Sequence, residues 1–300
     1  MGGSPEILAL HVLIERIARA TSHVLITGEP GTGKGHVARA IHAASARHDR
    51  PFVTLDGRTA AEVLLERHLF GGAVQPDPGL FLLAEGGTLF LDTITALPLG
   101  LQEKLGRAIE DGQVWPVGGT VPVAVNVRIL AATTADLRRE VLRGRFSERL
   151  LYRIDVASVV VPPLRERPAD IPLLAEHFVR EINATHETPC RGFSPDALAV
   201  LARHPWPGNV PELRDLVERA ILRMERGHTL ISETDVISAL RGVPRPAGGD
   251  AAAEPATLRQ ACRSFARQYV RDVLAAAGND EQAAALRLGI RVSVLRRALD

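Results

Sequence analysis

Residues 28–35 read Gly28-Glu29-Pro30-Gly31-Thr32-Gly33-Lys34-Gly35, GEPGTGKG, between an apolar run at Val24–Thr27 and a segment of helical character at 36–44. An apolar strand, a glycine loop closing on lysine and a following helix form the context that a phosphate-binding loop requires. Gly28, Gly31 and Gly33 let backbone N–H groups close around phosphate oxygens, the helix offers its positive end, and Lys34 reaches the outer phosphates. Lys34 is one of two lysines in the chain, Lys104 being the other, so a lysine kept at this spot favours a nucleotide site. The spot where such loops carry the Ser or Thr that holds magnesium is Gly35. The phosphate cradle reads as complete and its metal end does not.

Working outward, the residues 4–17 begin with Ser4-Pro5 and carry Ile7, Leu8, Leu10, Val12, Leu13, Ile14 and Ile17, which predicts a capped helix. Strands are expected at 51–56 (PFVTLD), Thr88–Asp92 (TLFLD), 126–133 and 157–161, and helices at 60–69 and 97–111, with a helix end at 80–84. Strands alternating with helices imply a parallel sheet with right-handed crossovers. Strand signals stop at Pro168, and four helices are predicted at 171–182, 194–203, 209–225 and 232–240. The segment 241–256 is rich in Pro, Gly and Ala and reads as a linker. The domains expected are thus an α/β nucleotide-binding domain at 1–165, a helical domain at 166–240, the linker, and an all-α unit at 257–300.

That last unit shows helical patterns at 257–276, 280–287 and 291–299 with glycine turns at Gly278 and Gly289. Two short helices joined by a glycine turn fit a helix-turn-helix, whose second helix enters the major groove. Eight arginines against four acids give the unit a net charge of +4, and Arg291, Ser293, Arg296 and Arg297 are the candidate DNA-facing residues. The alternative is a small helical dimerisation unit.

Composition excludes several classes. With 300 residues, 46% of them hydrophobic, the chain has ample material for packed cores, and a net charge of +1 requires any nucleic-acid surface to be local. Cys190 and Cys262 stand far apart, so neither a disulfide framework nor a zinc site is expected. No apolar run approaches the ~18 residues of a membrane span, and a cytoplasmic setting without membrane contact is the expectation.

Read together, LITGEPGTGKGHVARAIH (25–42), GGTLFLDT (86–93), VPPLRERPADIPLLAEHF (161–178) and HPWPGNVPEL (204–213) resemble the NtrC-type AAA+ family of bacterial enhancer-binding activators, which work with sigma-54 RNA polymerase. The resemblance runs from about residue 3 to 240, and the tail is similar to the Fis-type helix-turn-helix these proteins carry. It implies an AAA+ sheet sandwiched by helices, a helical lid, ATP hydrolysis in a homo-oligomeric ring, promoter or enhancer DNA, and remodelling of RNA polymerase. No receiver or sensory domain is read ahead of the ATPase-like region, so a minimal or truncated member is expected.

The departures from the family pattern carry the functional expectation. The family's GAFTGA loop, which touches sigma-54, follows a Leu-Phe-Gly; here Leu69-Phe70-Gly71 runs straight into Gly72-Ala73-Val74. By resemblance, Asp92 is the magnesium acid, and Thr93 replaces the glutamate that polarises the attacking water, a role threonine cannot fill at neutral pH. Asp56 replaces the asparagine that pairs with that glutamate, and Thr134 the asparagine that senses the terminal phosphate. Of two arginines that reach a neighbouring subunit's nucleotide, Arg153 matches one and Ser147 replaces the other, while Arg149 lies one helical turn before Arg153. Pro211 replaces the lid arginine. Phosphoryl transfer depends on positioning and charge, so these losses together predict a pseudo-ATPase that binds ATP or ADP. Two further readings stay open: an active ATPase remodelling another partner, and a modulator that co-assembles with an intact homologue. Asp280 and Glu281, which repel phosphate, lower the DNA affinity expected of the tail.

Overall fold

The computed structural model describes residues 2–58, 62–73, 78–186, 190–224, 229–241 and 282. By its contacts the chain forms two compact units, Met1–Val243 and Pro244–Asp300. The linker beyond Arg241, which instead ends a helix, and the tail helices apart from Gln282, with Arg291, Ser293, Arg296 and Arg297, lie outside the described residues.

The first unit opens with α1 (Pro5–Ala18), β1 (Val24–Thr27), α2 (Lys34–Ala43), β2 (Phe52–Asp56), α3 (Glu62–Phe70), α4 (Gly79–Leu83), β3 (Thr88–Asp92) and α5 (Leu99–Asp111). A short hairpin of β4 (Gln113–Val114) and β5 (Val123–Ala124) precedes β6 (Arg128–Thr133), α6 (Leu137–Leu142), α7 (Glu148–Ile154) and β7 (Ala157–Val160). The long strands form one parallel sheet in the order β2-β3-β6-β1-β7. Side chains alternate across a strand, so each buried strand feeds two cores. Val24 and Ile26 join Ile7, Leu10, Ile14 and Ile17 of α1 and Val37 and Ile41 of α2 on one face. Leu25, Leu89, Leu91 and Ile129 pack against α3, α5 and α7 on the other. Of the apolar residues expected along α1, Leu8, Val12 and Leu13 face solvent instead, because the 3.6-residue period leaves room for one stripe.

The lid comprises α8 (Asp170–His186), β8 (Gly192–Phe193), α9 (Pro195–Arg203), α10 (Asn209–Arg223), β9 (Leu230–Ile231) and α11 (Glu233–Arg241) around a core that includes the fully buried Trp206. The expectation of no strand beyond Pro168 is corrected here: β8 and β9 pair in parallel, Gly192 with Leu230 and Phe193 with Ile231. Two-residue strands are too short to show a period. Sheet and lid are joined at α1 as well, where buried Asp170 accepts hydrogen bonds from Gly3 N (2.8 Å), Ser4 N (2.9 Å) and Ser4 Oγ (2.9 Å).

Candidate nucleotide site

The glycine loop leaves the C-terminal end of β1, bordered in the sheet by β6 and β7, and runs into α2. Gly28, Gly31 and Gly33 have φ of 154°, 75° and 101°, the left-handed half of conformational space that glycine enters without steric cost. Lys34 folds back on the loop, its Nζ donating to Gly28 O at 2.9 Å and Glu29 O at 2.8 Å. Burial pushes the Lys34 ammonium's pKa down, and the charge of Asp92 opposes that shift. The residues fit a bound nucleotide. A Cβ added at Gly33 meets nothing within 4 Å, so the space above the start of α2 is open. At Gly35 a Cβ would meet only Phe90 Cε1 at 3.8 Å, an ordinary contact, so a hydroxyl residue would fit there and its absence is not steric.

The lid and the segment leading into it grip four consecutive loop residues. Arg165 pairs with Glu29 through two bonds, 2.7 and 2.6 Å, and this partner, then Asn209, holds the Glu29 carboxyl below its usual range. Asn209, fully buried with φ 54°, donates from Nδ2 to Pro30 O at 2.9 Å and accepts at Oδ1 from Leu164 N at 2.8 Å. Val210 N donates to Gly31 O at 3.1 Å, and Arg167 Nη2 to Thr32 O at 3.0 Å. Pro211 lies in the first turn of α10, where a missing N–H costs no helical bond. A Cβ at Gly31 would lie 2.5 Å from Gly208 O and 2.8 Å from Pro211 Cδ, so only glycine permits this approach.

At the same edge of the sheet Asp92 ends β3 beside Asp56, its register partner at the end of β2. Thr93 follows with φ 54° and ψ 52°, a left-handed conformation that is an outlier for a β-branched residue. Asp56 is held by Arg58, whose Nε and Nη2 reach its two oxygens at 3.0 and 2.7 Å; these bonds, ahead of other influences, depress the Asp56 carboxyl's pKa. Thr134 lies exposed just past β6.

Two profiles cover this unit: that of the sigma-54 interaction domain matches residues 1–160, and that of the AAA+ ATPase lid domain residues 165–251. The chain belongs to the sigma-54 activator family of AAA+ proteins. Among similar family members are the transcriptional regulatory protein ZraR of Salmonella typhimurium, 42% identical over 251 residues that cover 81% of this chain and 56% of the relative. ZraR of Escherichia coli K12 is 39% identical over 297 residues, 97% of this chain and 66% of the relative. The chain therefore spans roughly three fifths of the length of the curated relatives it matches. The crystal structure of NtrX from Brucella abortus in complex with ATP is similar over 100% of this chain and 68% of its own, with a TM-score of 0.77 and 35% identity.

The remaining candidate residues named from the sequence stand on α7 and at its cap. Ser147 is buried as the cap of α7, its Oγ accepting from Leu150 N at 3.3 Å and donating to Glu103, while its N–H meets Gln102 Oε1 at 2.8 Å. Arg149 and Arg153 both pair with Glu110 of α5, Arg149 Nε at 2.7 Å. Arg149 first, with Arg153, draws the Glu110 carboxyl's pKa down. A surface cavity of about 580 Å³ includes Arg153, Tyr152 and Arg138 in its lining but no residue of the glycine loop. Among the described residues no group of three or more His, Cys, Asp or Glu is placed to hold a metal ion.

The structure brings the loop, Asp92 and Thr93 to the same end of the sheet. Sequence reasoning assigned no role to Arg165, Arg167 and Asn209, although they stand inside the strings that carry the family resemblance, and none to Arg58 or Glu110. Their parts are tertiary and leave no local period.

Proposed function

We propose that this chain is a cytoplasmic, DNA-binding transcriptional regulator whose AAA+ domain binds ATP or ADP and assembles as a homo-oligomer without hydrolysing ATP at a useful rate. The observation that carries this reading is the contrast between the two ends of one site. The cradle keeps its left-handed glycines and a buried lysine. The reaction end offers a threonine in a strained conformation, an aspartate already paired with an arginine, and a proline. A bound nucleotide supplies a terminal phosphoryl group; this chain has no carboxylate at position 93 to take a proton from an attacking water. The family's crystallised member NtrX carries ATP in one structure and ADP in another, which supports nucleotide binding here. Loss of the GAFTGA segment between Gly71 and Gly79 supports action on transcription by a contact other than that loop, with RNA polymerase as a partner through another surface.

Steady-state ATPase assays and calorimetry on the purified protein test both halves. Binding of ADP at micromolar to millimolar concentration, abolished or weakened at least tenfold by Lys34→Ala, with turnover near background, is the expected result. Robust Lys34-dependent turnover overturns the pseudo-ATPase reading. Absence of binding at millimolar nucleotide overturns the nucleotide site.

A further inference from the structure

Arg58 follows Asp56, the register partner of Asp92, and nothing in the family pattern assigns it a role. It follows β2 by two residues, at the same edge of the sheet as the glycine loop. The backbone before it is locked to the acid strand: Gly57 N donates to Asp92 O at 3.0 Å, and a Cβ at Gly57 would fall 2.9 Å from Thr93 O. Its side chain is 65% exposed, and its described partner is Asp56. The other cations near the loop are committed: Arg165 to Glu29, and Arg167 to the Thr32 carbonyl. Thr93, Thr134 and Pro211 bring no charge.

We infer that Arg58 is a phosphate-binding residue of this site, which leaves Asp56 to take the terminal phosphate of a nucleoside triphosphate and thereby distinguishes ATP from ADP. The inference rests on the nucleotide site proposed above and adds what reads the ligand's outer end. An exposed aspartate–arginine pair contributes little, whereas a phosphate oxygen pair takes a guanidinium in the same two-pronged geometry with more charge. Asp56 does not lose every partner in the exchange, because Arg58 N donates to its Oδ1 at 3.0 Å independently of the side chain. Asp92 acts electrostatically on both Lys34 and Arg58, favouring the charged form of each.

Calorimetry with ATP and with ADP, on the full chain and on Arg58→Gln and Asp56→Asn, tests the assignment. The unaltered chain is expected to bind ATP more tightly than ADP, by about tenfold for one charge-assisted contact. Arg58→Gln should weaken ATP by a similar factor and leave ADP within about twofold, and Asp56→Asn, which frees the guanidinium, should tighten ATP. Equal affinities for the two nucleotides in the unaltered chain, or an Arg58→Gln effect that is absent or the same for both, overturn the role of Arg58 while leaving the nucleotide site intact. No binding of either nucleotide overturns both.

Discussion

Thr93 shows how one residue can carry two departures at once. Under the proposed function it stands in place of a catalytic carboxylate, and it holds a left-handed conformation that costs a β-branched residue about 1–3 kcal/mol. Asparagine tolerates that region, so Thr93→Asn is expected to raise stability by about 1 kcal/mol in urea unfolding, without changing turnover. Thr93→Glu should not restore hydrolysis. A new carboxylate there meets Asp56 already fixed by Arg58, and Thr134 and Pro211 still bring no contact to the terminal phosphate, so one repair among coupled losses gains little. A Lys34-dependent rate of family magnitude from Thr93→Glu alone would show the other positions to be tolerated variation. His23 contributes to the pH dependence alongside His42, whose pKa burial also lowers. The Nδ1 of His23 accepts from Ile129 N at 3.0 Å, and burial, then Arg128 and Arg47, push its pKa below 6.5. The unfolded chain therefore takes up a proton at a pH where the folded one does not. That contribution to stability is full above 6.5 and is lost as pH falls toward the folded value. Melting temperatures measured from pH 7.5 to 5.5 should fall, and His23→Asn should flatten the slope; an unchanged slope assigns the effect elsewhere.

Among the elements, the start of α10 does most to define the site. Trp206 and Asn209 both adopt positive φ, 49° and 54°, and the turn closes through Asn209 N to Trp206 O at 2.8 Å. The helix thereby presents Asn209 to the glycine loop and seats Pro211 on Gly31. Asn209→Ala leaves Pro30 O and Leu164 N without their partner and puts alanine in a left-handed conformation. It should cost about 3 kcal/mol in denaturant unfolding and weaken nucleotide binding. A cost below about 1 kcal/mol would mean that the lid does not depend on this clamp. The long elements were legible in the chain because they repeat: TLFLD is a buried strand by its unbroken apolar run, and GEPGTGKG is a loop by its glycines. The clamp was not legible, since Asn209, Arg165 and Glu29 lie far apart in sequence and meet only in the folded unit. α6 and α7 were missed for another reason: with six and seven residues in a charged stretch they show no stripe. Their caps were the available signal, Asp136 accepting from Arg138 N and Arg139 N, and Ser147 from Leu150 N.

For the whole molecule, contacts cut the chain at Val243, close to where the proline- and glycine-rich stretch begins. The sheet and the lid fall on the same side of that cut, tied through Asp170 to α1 and through the clamp to the glycine loop. A chain ending at Val243 should therefore fold with the melting behaviour of the first unit and keep its nucleotide affinity. DNA binding is a separate property under the proposed function, and it is assigned to the residues that follow. Three arginines, Arg291, Arg296 and Arg297, stand in the predicted recognition helix. If each neutralises one phosphate, the binding constant falls roughly 40-fold between 50 and 200 mM salt for each copy bound, because the released counterions enter the equilibrium. Arg296→Ala should reduce that dependence by about one unit of the logarithmic slope. Fluorescence anisotropy on a labelled duplex across a salt series measures both quantities. The chain ending at Val243 should show no binding on the same duplex at any salt in the series. Undiminished binding by that shortened chain would move the DNA surface into the AAA+ unit and leave the tail as a dimerisation element.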